Sequence, residues 1–247
     1  VEFRDLLLQL KRLANDNGLS EPFIVGGLPR DKILNKSSDI QDVDLTTGDE
    51  SIHKLALVVA NYFKVVPVQF PDGHYQMYLD NIKFDFSSNY QSPNAAYFLE
   101  KVGLNDPTQM QLELFSRDFT CNILLFPMDL RKILDPTGLS LNDIRDKVLK
   151  TPLPPRITLR DDPNRVVRAI YLAAKLGFTV EEDIIKWVLN HHEKISAEVS
   201  NGFARKKLAA ATRSNPNITI QLMNKMQLWN VVSLPKILME QLITHEK

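Results

Sequence analysis

Asp42 and Asp44, in the run Asp42-Val43-Asp44-Leu45, are spaced to do chemistry. Residues i and i+2 on a strand point the same way, so the two carboxylates project side by side. Carboxylates that close repel unless a cation lies between them. A divalent metal meets that need. Mg²⁺ takes a few carboxylates together with substrate phosphates, and a metal pair can hold the attacking and leaving oxygens of a phosphoryl transfer. Upstream stand Gly26-Gly27 and then Arg30. Paired glycines let the backbone turn tightly and approach a ligand, and backbone N–H groups with an arginine are donors for phosphate. Each feature has a plainer counterpart: Asp-x-Asp in a polar loop is commonly solvated surface, and Gly-Gly before a helix is commonly only a turn. A third carboxylate, Asp85, stands between Phe84 and Phe86. If those aromatics face the core, Asp85 faces a cleft; a solvated outer face is the alternative.

These residues need elements to carry them. An apolar run at 23–25 has strand length and ends in the glycines, and a short helix is expected from Pro29, where proline suits a first turn. Ahead of it, Phe3, Leu6, Leu7, Leu10 and Leu13 recur at helical spacing, and Asn17-Gly18 stops that helix. Ser51 can cap a helix to Phe63 with Leu55, Val58, Val59 and Tyr62 on one face. Three strands are predicted at 65–70, 74–79 and 82–87, separated by Pro71-Asp72-Gly73 and Asp80-Asn81 turns. Residues 89–107 read as a polar loop, 130–134 as a strand and 142–147 as a short helix. Asp162 is a good N-cap with Pro163 in the first helical position, ahead of an apolar stripe of Val166, Ile170, Ala173 and Ala174. Arg165 and Arg168 share a face of that helix. Further helices are expected at 181–190, 201–211, 218–228 and 235–245, with His191-His192 as a helix terminus rather than a metal site. Arg205, Lys206 and Lys207 either touch a nucleic-acid backbone or form a solvated face.

The 247 residues allow one large or two small domains. A hydrophobic content of 44% excludes a disordered chain. With 30 basic and 30 acidic side chains there is no global pull toward nucleic acid, so any such contact must come from local patches. The single cysteine, Cys121, rules out an internal disulfide and fits a reducing cytoplasm; it reads as a buried small apolar residue. No apolar run reaches membrane-spanning length, and the first residues lack a signal-peptide layout.

In chain order, VGGLPRDKIL, DVDL, SRDFTCN, DPTGLSLNDIRDKVLKT and DDPNR resemble the motifs of the class II tRNA nucleotidyltransferase and bacterial-type poly(A) polymerase family. Four positions depart from its pattern. Pro29 replaces a common Val, Ser87-Ser88-Asn89 stands where an arginine often follows the third carboxylate, Ser116 replaces the first arginine of R-R-D-F-T-x-N, and Asp161 replaces a Glu. The resemblance implies an α/β plus all-α chain. Its head, residues 1–136, would be a small mixed sheet with helices of the polymerase-β nucleotidyltransferase type; residues 137–247 would form a helical neck and body, the family's tail absent or reduced. It implies a mobile loop at 89–107.

It also implies roles. Asp42, Asp44 and Asp85 would be catalytic and hold two Mg²⁺ ions. Gly26, Gly27, Arg30 and Arg168 would hold the triphosphate. Arg117, Asp118 and Asn122 would lie at the ribose, and Asp162 and Arg165 would read the base. A carboxylate accepts from the amino group of cytosine or adenine, and a guanidinium donates to ring nitrogen or carbonyl acceptors. Uracil and guanine present a carbonyl instead, so one Asp–Arg pair can take C and A and reject U and G without a template. The implied reaction is addition of C, A or both, from CTP and ATP, to the 3′ end of tRNA or another RNA, with pyrophosphate release. CCA addition, poly(A) addition and partial CC- or A-addition remain open, as does an inactive RNA-binding relative.

Overall fold

The computed structural model describes residues 2–36 and 39–245. The chain folds as two compact units, Val1–Asn142 and Asp143–Lys247. The first runs α1 (Phe3–Asp16), β1 (Phe23–Val25), α2 (Gly27–Ile33), β2 (Asp42–Thr46), α3 (Ser51–Phe63), β3 (Val68–Gln69), β4 (Tyr75–Leu79), β5 (Ile82–Phe86), α4 (Pro93–Lys101), α5 (Gln109–Phe115) and β6 (Phe126–Pro127). Its sheet has six strands in the order β3-β4-β5-β2-β1-β6. β2 and β5 run parallel, and the other pairings are antiparallel.

Strand alternation builds the core of this unit. Val43, Leu45, Phe84 and Phe86 are fully buried, packed with Leu6, Leu7 and Leu10 of α1 and Ile52, Leu55 and Val59 of α3. Truncating either phenylalanine to Ala would cost about 3–5 kcal/mol. On α3, Asp49 takes the capping role that sequence gives to Ser51: its Oδ1 accepts from the Ser51 backbone N–H at 2.9 Å.

Two stretches differ from expectation. Residues 93–101, inside the expected loop, form α4, because Ser92 Oγ accepts from Ala95 N, Pro93 occupies the first turn, and Ala95 and Leu99 are buried. The expected strand at 130–134 makes only a bridge from Leu134 to Leu125. Leu130 has φ 58°, which breaks an extended run. β6 pairs with β1 in its place.

α6 (Ser140–Arg145) spans the division between the units. The second unit continues with β7 (Val148–Leu149), α7 (Pro155–Asp161), α8 (Asn164–Leu176), β8 (Thr179–Val180), α9 (Glu182–Leu189), α10 (His192–Glu198), α11 (Asn201–Ser214), α12 (Pro216–Lys225) and α13 (Lys236–His245). β7 and β8 pair in parallel. α8 buries Val166, Val167, Ala169, Ile170, Leu172, Ala173 and Ala174, and packs on α7, α11 and α12. His191 and His192 lie where α9 ends and α10 starts, and donate to the carbonyls of Trp187 and Met226 at 2.7 and 2.9 Å. Among the described residues no helix is long and apolar enough to cross a membrane.

Candidate active site

The register of β2 on β5 assembles the acidic face. Asp44 stands opposite Asp85 and Asp42 opposite Lys83. Paired residues on neighbouring strands share a face, so Asp42, Asp44, Lys83 and Asp85 line one side and the buried Val43, Leu45, Phe84 and Phe86 the other. Asp85 is therefore no solvated outer residue: its side chain is 17% exposed.

A cation already lies among these carboxylates. Lys83 Nζ is 2.8 Å from Asp42 Oδ1 and 3.3 Å from Asp85 Oδ2. Gln76, opposite Asp85 on β4, donates its Nε2–H to Asp85 Oδ1 at 2.8 Å. Burial alone would lower the Lys83 ammonium, but its hydrogen bond to Asp42 and the charges of Asp85 and Asp42 hold it above its ordinary range. Sequence reasoning missed Lys83 and Gln76. The signal for Lys83 was its place two residues before Asp85, on the same strand face.

As the side chains stand, no three His, Cys, Asp or Glu groups among the described residues converge on one point, with Lys83 between two of the aspartates. The donor chemistry nevertheless fits Mg²⁺. All three acidic groups offer hard carboxylate oxygen, and the Lys83 ammonium is a stand-in cation on the same face.

Gly26 crosses this site at φ 79°, a left-handed conformation that L side chains rarely adopt. A Cβ there would lie 2.4 Å from Asp44 Oδ2. The Gly26 N–H donates to the Asn122 carbonyl at 3.3 Å, so the glycine supplies room rather than a spare donor. At Gly27 a Cβ would meet Arg30 Nη2 at 3.3 Å.

Arg30 sits inside rather than facing the site: it is 3% exposed. Its Nη1 donates to Asn122 Oδ1 at 2.7 Å, and its Nε and Nη2 donate to Asp31 Oδ1 at 2.8 Å. Asn122 Nδ2 in turn donates to Asp118 Oδ1 at 3.1 Å, which also accepts from Phe119 N at 2.8 Å. Asp118 and Asn122 meet, but not on an α-helix: Phe119 is extended and Thr120–Asn122 form one 3₁₀ turn. Cys121 is buried in that turn, and burial pushes its thiol up to about 12. Arg117 is committed to the fully buried Glu113, with Nε and Nη2 at 2.9 and 2.7 Å from its Oε1. Ser88, at a departure from the family pattern, pairs its hydroxyl with Thr46 Oγ1 at 2.8 Å and so ties the chain after β5 to β2.

In the second unit, Asp162 does two things at once. Its Oδ1 accepts from Asn164 N at 3.0 Å at the start of α8. Its Oδ2 lies 3.8 Å from Arg165 Nε, and Arg165 Nη1 donates to the Thr158 carbonyl at 3.1 Å. The Asp162 side chain is 43% exposed and that of Arg165 17%. Arg168 is half-buried on the same helix. The basic cluster divides: Arg205 and Lys206 are exposed, whereas Lys207 lies over the rings of Tyr171 and Phe203, 4.7 and 5.7 Å from their centroids.

Comparison with known proteins places this geometry. Residues 22–150 match the model of the Poly A polymerase head domain. The chain is 27% identical over 221 residues to tRNA nucleotidyltransferase cca2 of Schizosaccharomyces pombe, covering 81% of this chain and 45% of that protein. It is 29% identical over 169 residues to the CC-adding tRNA nucleotidyltransferase of Halalkalibacterium halodurans, covering 67% of this chain and 37% of that protein. The chain thus spans less than half the length of these relatives. A solved tRNA nucleotidyltransferase, complexed with a primer tRNA and an incoming ATP analog, superposes with a TM-score of 0.68 at 24% identity, over 90% of this chain and 62% of that one. That likeness shows the fold, a mixed sheet with helices followed by further helices.

Proposed function

Because the chain belongs to the Poly A polymerase head domain family, we propose that it is a template-independent nucleotidyltransferase adding C, A or both to a tRNA 3′ end. The observation that carries this is the register that sets Asp85 beside Asp44, with Asp42 on the same face and Gly26 leaving room for the Asp44 carboxylate. Asp42, Asp44 and Asp85 would hold Mg²⁺. When bound, the metal supplies a lowered pKa for the attacking 3′-hydroxyl and neutralises charge on the triphosphate.

The chain's own residues supply position. Gly26 and Gly27 let the triphosphate approach the backbone, and Arg168 is a further phosphate donor. Arg30 acts from inside, by orienting Asn122 and through it Asp118 at the ribose; Arg117 braces the same segment through Glu113. The exposed edge of the Asp162–Arg165 pair accepts the amino group of C or A and opposes the carbonyl of U or G. Arg205 and Lys206 offer charge to an RNA backbone. A cytoplasmic setting is part of the same reading. Partial addition, CC-only or A-only, is a second reading, the chain being 29% identical to the CC-adding and 28% identical to an A-adding relative.

The test is incubation of the chain with Mg²⁺, each nucleoside triphosphate in turn, and tRNAs ending before each of the three 3′ nucleotides, followed by sequencing of the products. C and A, but not U and G, are expected at the new ends. No extension of any of these tRNAs would refute the proposed reaction.

A further inference from the structure

Lys83 faces the same side of the sheet as the acidic residues because it pairs across the ladder with Asp42 and precedes Asp85 by two. Its ammonium bridges them, 2.8 Å from Asp42 Oδ1 and 3.3 Å from Asp85 Oδ2, with a side chain only 27% exposed. Carboxylates gathered on one face need a positive partner, and here the chain carries its own. A divalent ion at Asp42 and Asp85 would meet this ammonium at short range; the Asp42 side chain is 67% exposed and that of Asp85 17%, so charge repulsion is least screened on the Asp85 side.

We propose that Lys83 is a positioning residue that holds Asp42 and Asp85 together in the absence of a divalent ion and competes with that ion for them. The inference rests on Asp42, Asp44 and Asp85 being the metal site. Lys83 thereby sets the metal concentration at which the site fills. Gln76 keeps its bond to Asp85 Oδ1 in either state, so the strand face persists when Lys83 swings away.

Mn²⁺ titration without nucleotide, read by the electron paramagnetic resonance of the free ion, tests this on the full chain and its Lys83→Met, Lys83→Gln and Asp44→Asn variants. Removing the ammonium is expected to tighten Mn²⁺ binding by about tenfold or more, and Asp44→Asn to weaken it. Lys83→Gln covers the case in which Lys83→Met does not fold, circular dichroism reporting the fold of each. Equal or weaker Mn²⁺ affinity in the folded Lys83 variants overturns the inference. If Asp44→Asn still loses the ion, the site assignment survives that failure. Tighter binding in Lys83→Met, together with no tRNA extension by the parent chain, upholds the role of Lys83 and removes the proposed reaction instead.

Discussion

Gly26 has no side chain because Asp44 occupies the space: a Cβ would stand 2.4 Å from Asp44 Oδ2, on a backbone at φ 79°. Gly26→Ala should therefore strain the backbone by about 1–3 kcal/mol and push the Asp44 carboxylate out of line, lowering incorporation far more than thermal stability. Gly18→Ala is the matched control, since Gly18 also has a positive φ, 64°, but a Cβ there meets nothing within 4 Å. Single-nucleotide incorporation and Tm on both variants check this. Equal activity of the two would show that the close approach to Asp44 does not matter.

Asp42→Asn and Asp44→Asn remove charge from a sheet face that lies opposite the core. Each should cut incorporation by roughly a hundredfold or more, as expected when a metal ligand worth several kcal/mol in the transition state is lost. Circular dichroism should be unchanged. A variant within a few-fold of the parent chain would remove that aspartate from the metal site.

Arg30 is the buried hub that joins Asp31 and Asn122. Arg30→Met leaves these partners without their cation, and urea unfolding should show a loss of about 3 kcal/mol. An exposed arginine would cost almost nothing, so an undiminished stability of Arg30→Met would contradict the buried-hub role.

Asp49 gives a pH signature. Burial would raise its carboxyl, but hydrogen bonds from Ser20, Thr47 and Ser51 outweigh burial and lower it below 3.8. A depressed carboxyl contributes stability that is present above its unfolded value and is lost as pH falls through the folded one. The Tm advantage of the parent chain over Asp49→Asn should therefore be constant near neutrality and shrink below pH 3.8. A gap that widens with acid would contradict the assignment.

Base choice separates two roles of Asp162. Its Oδ1 caps α8 and its Oδ2 faces Arg165. Asn is also a good N-cap, so Asp162→Asn should keep stability while shifting preference for C and A over U and G by roughly ten- to a hundredfold. Asp162→Ala should show the same shift plus a stability loss of about 1 kcal/mol. Unaltered preference in the folded Asp162→Asn chain would leave Asp162 a cap alone.

Most of the acidic site could be read in the chain because period-two alternation is a local property. Strand spacing puts Asp42 and Asp44 on one face and leaves Asp85 toward a cleft or toward solvent, a choice that the buried Phe84 and Phe86 decide. What could not be read was pairing across strands. The register of β2 on β5 brings Asp85 to Asp44, and it also brings Lys83 to Asp42. The interior position of Arg30 was hidden for the same reason, since its partner Asn122 lies far along the chain. Local polarity misled at 89–107, where α4 buries only Ala95 and Leu99 and so shows little apolar period.

The Asp42–Asp44–Asp85 face is expected to perform nucleotidyl transfer to a tRNA end. Pyrophosphate release, measured with tRNA lacking its 3′-terminal nucleotides, Mg²⁺ and either CTP plus ATP or UTP plus GTP, tests this most directly on the parent chain and Asp44→Asn. Release with CTP plus ATP, little with UTP plus GTP, and loss of both in Asp44→Asn is the predicted result. Release that persists in Asp44→Asn, or none from the folded parent chain, would contradict it.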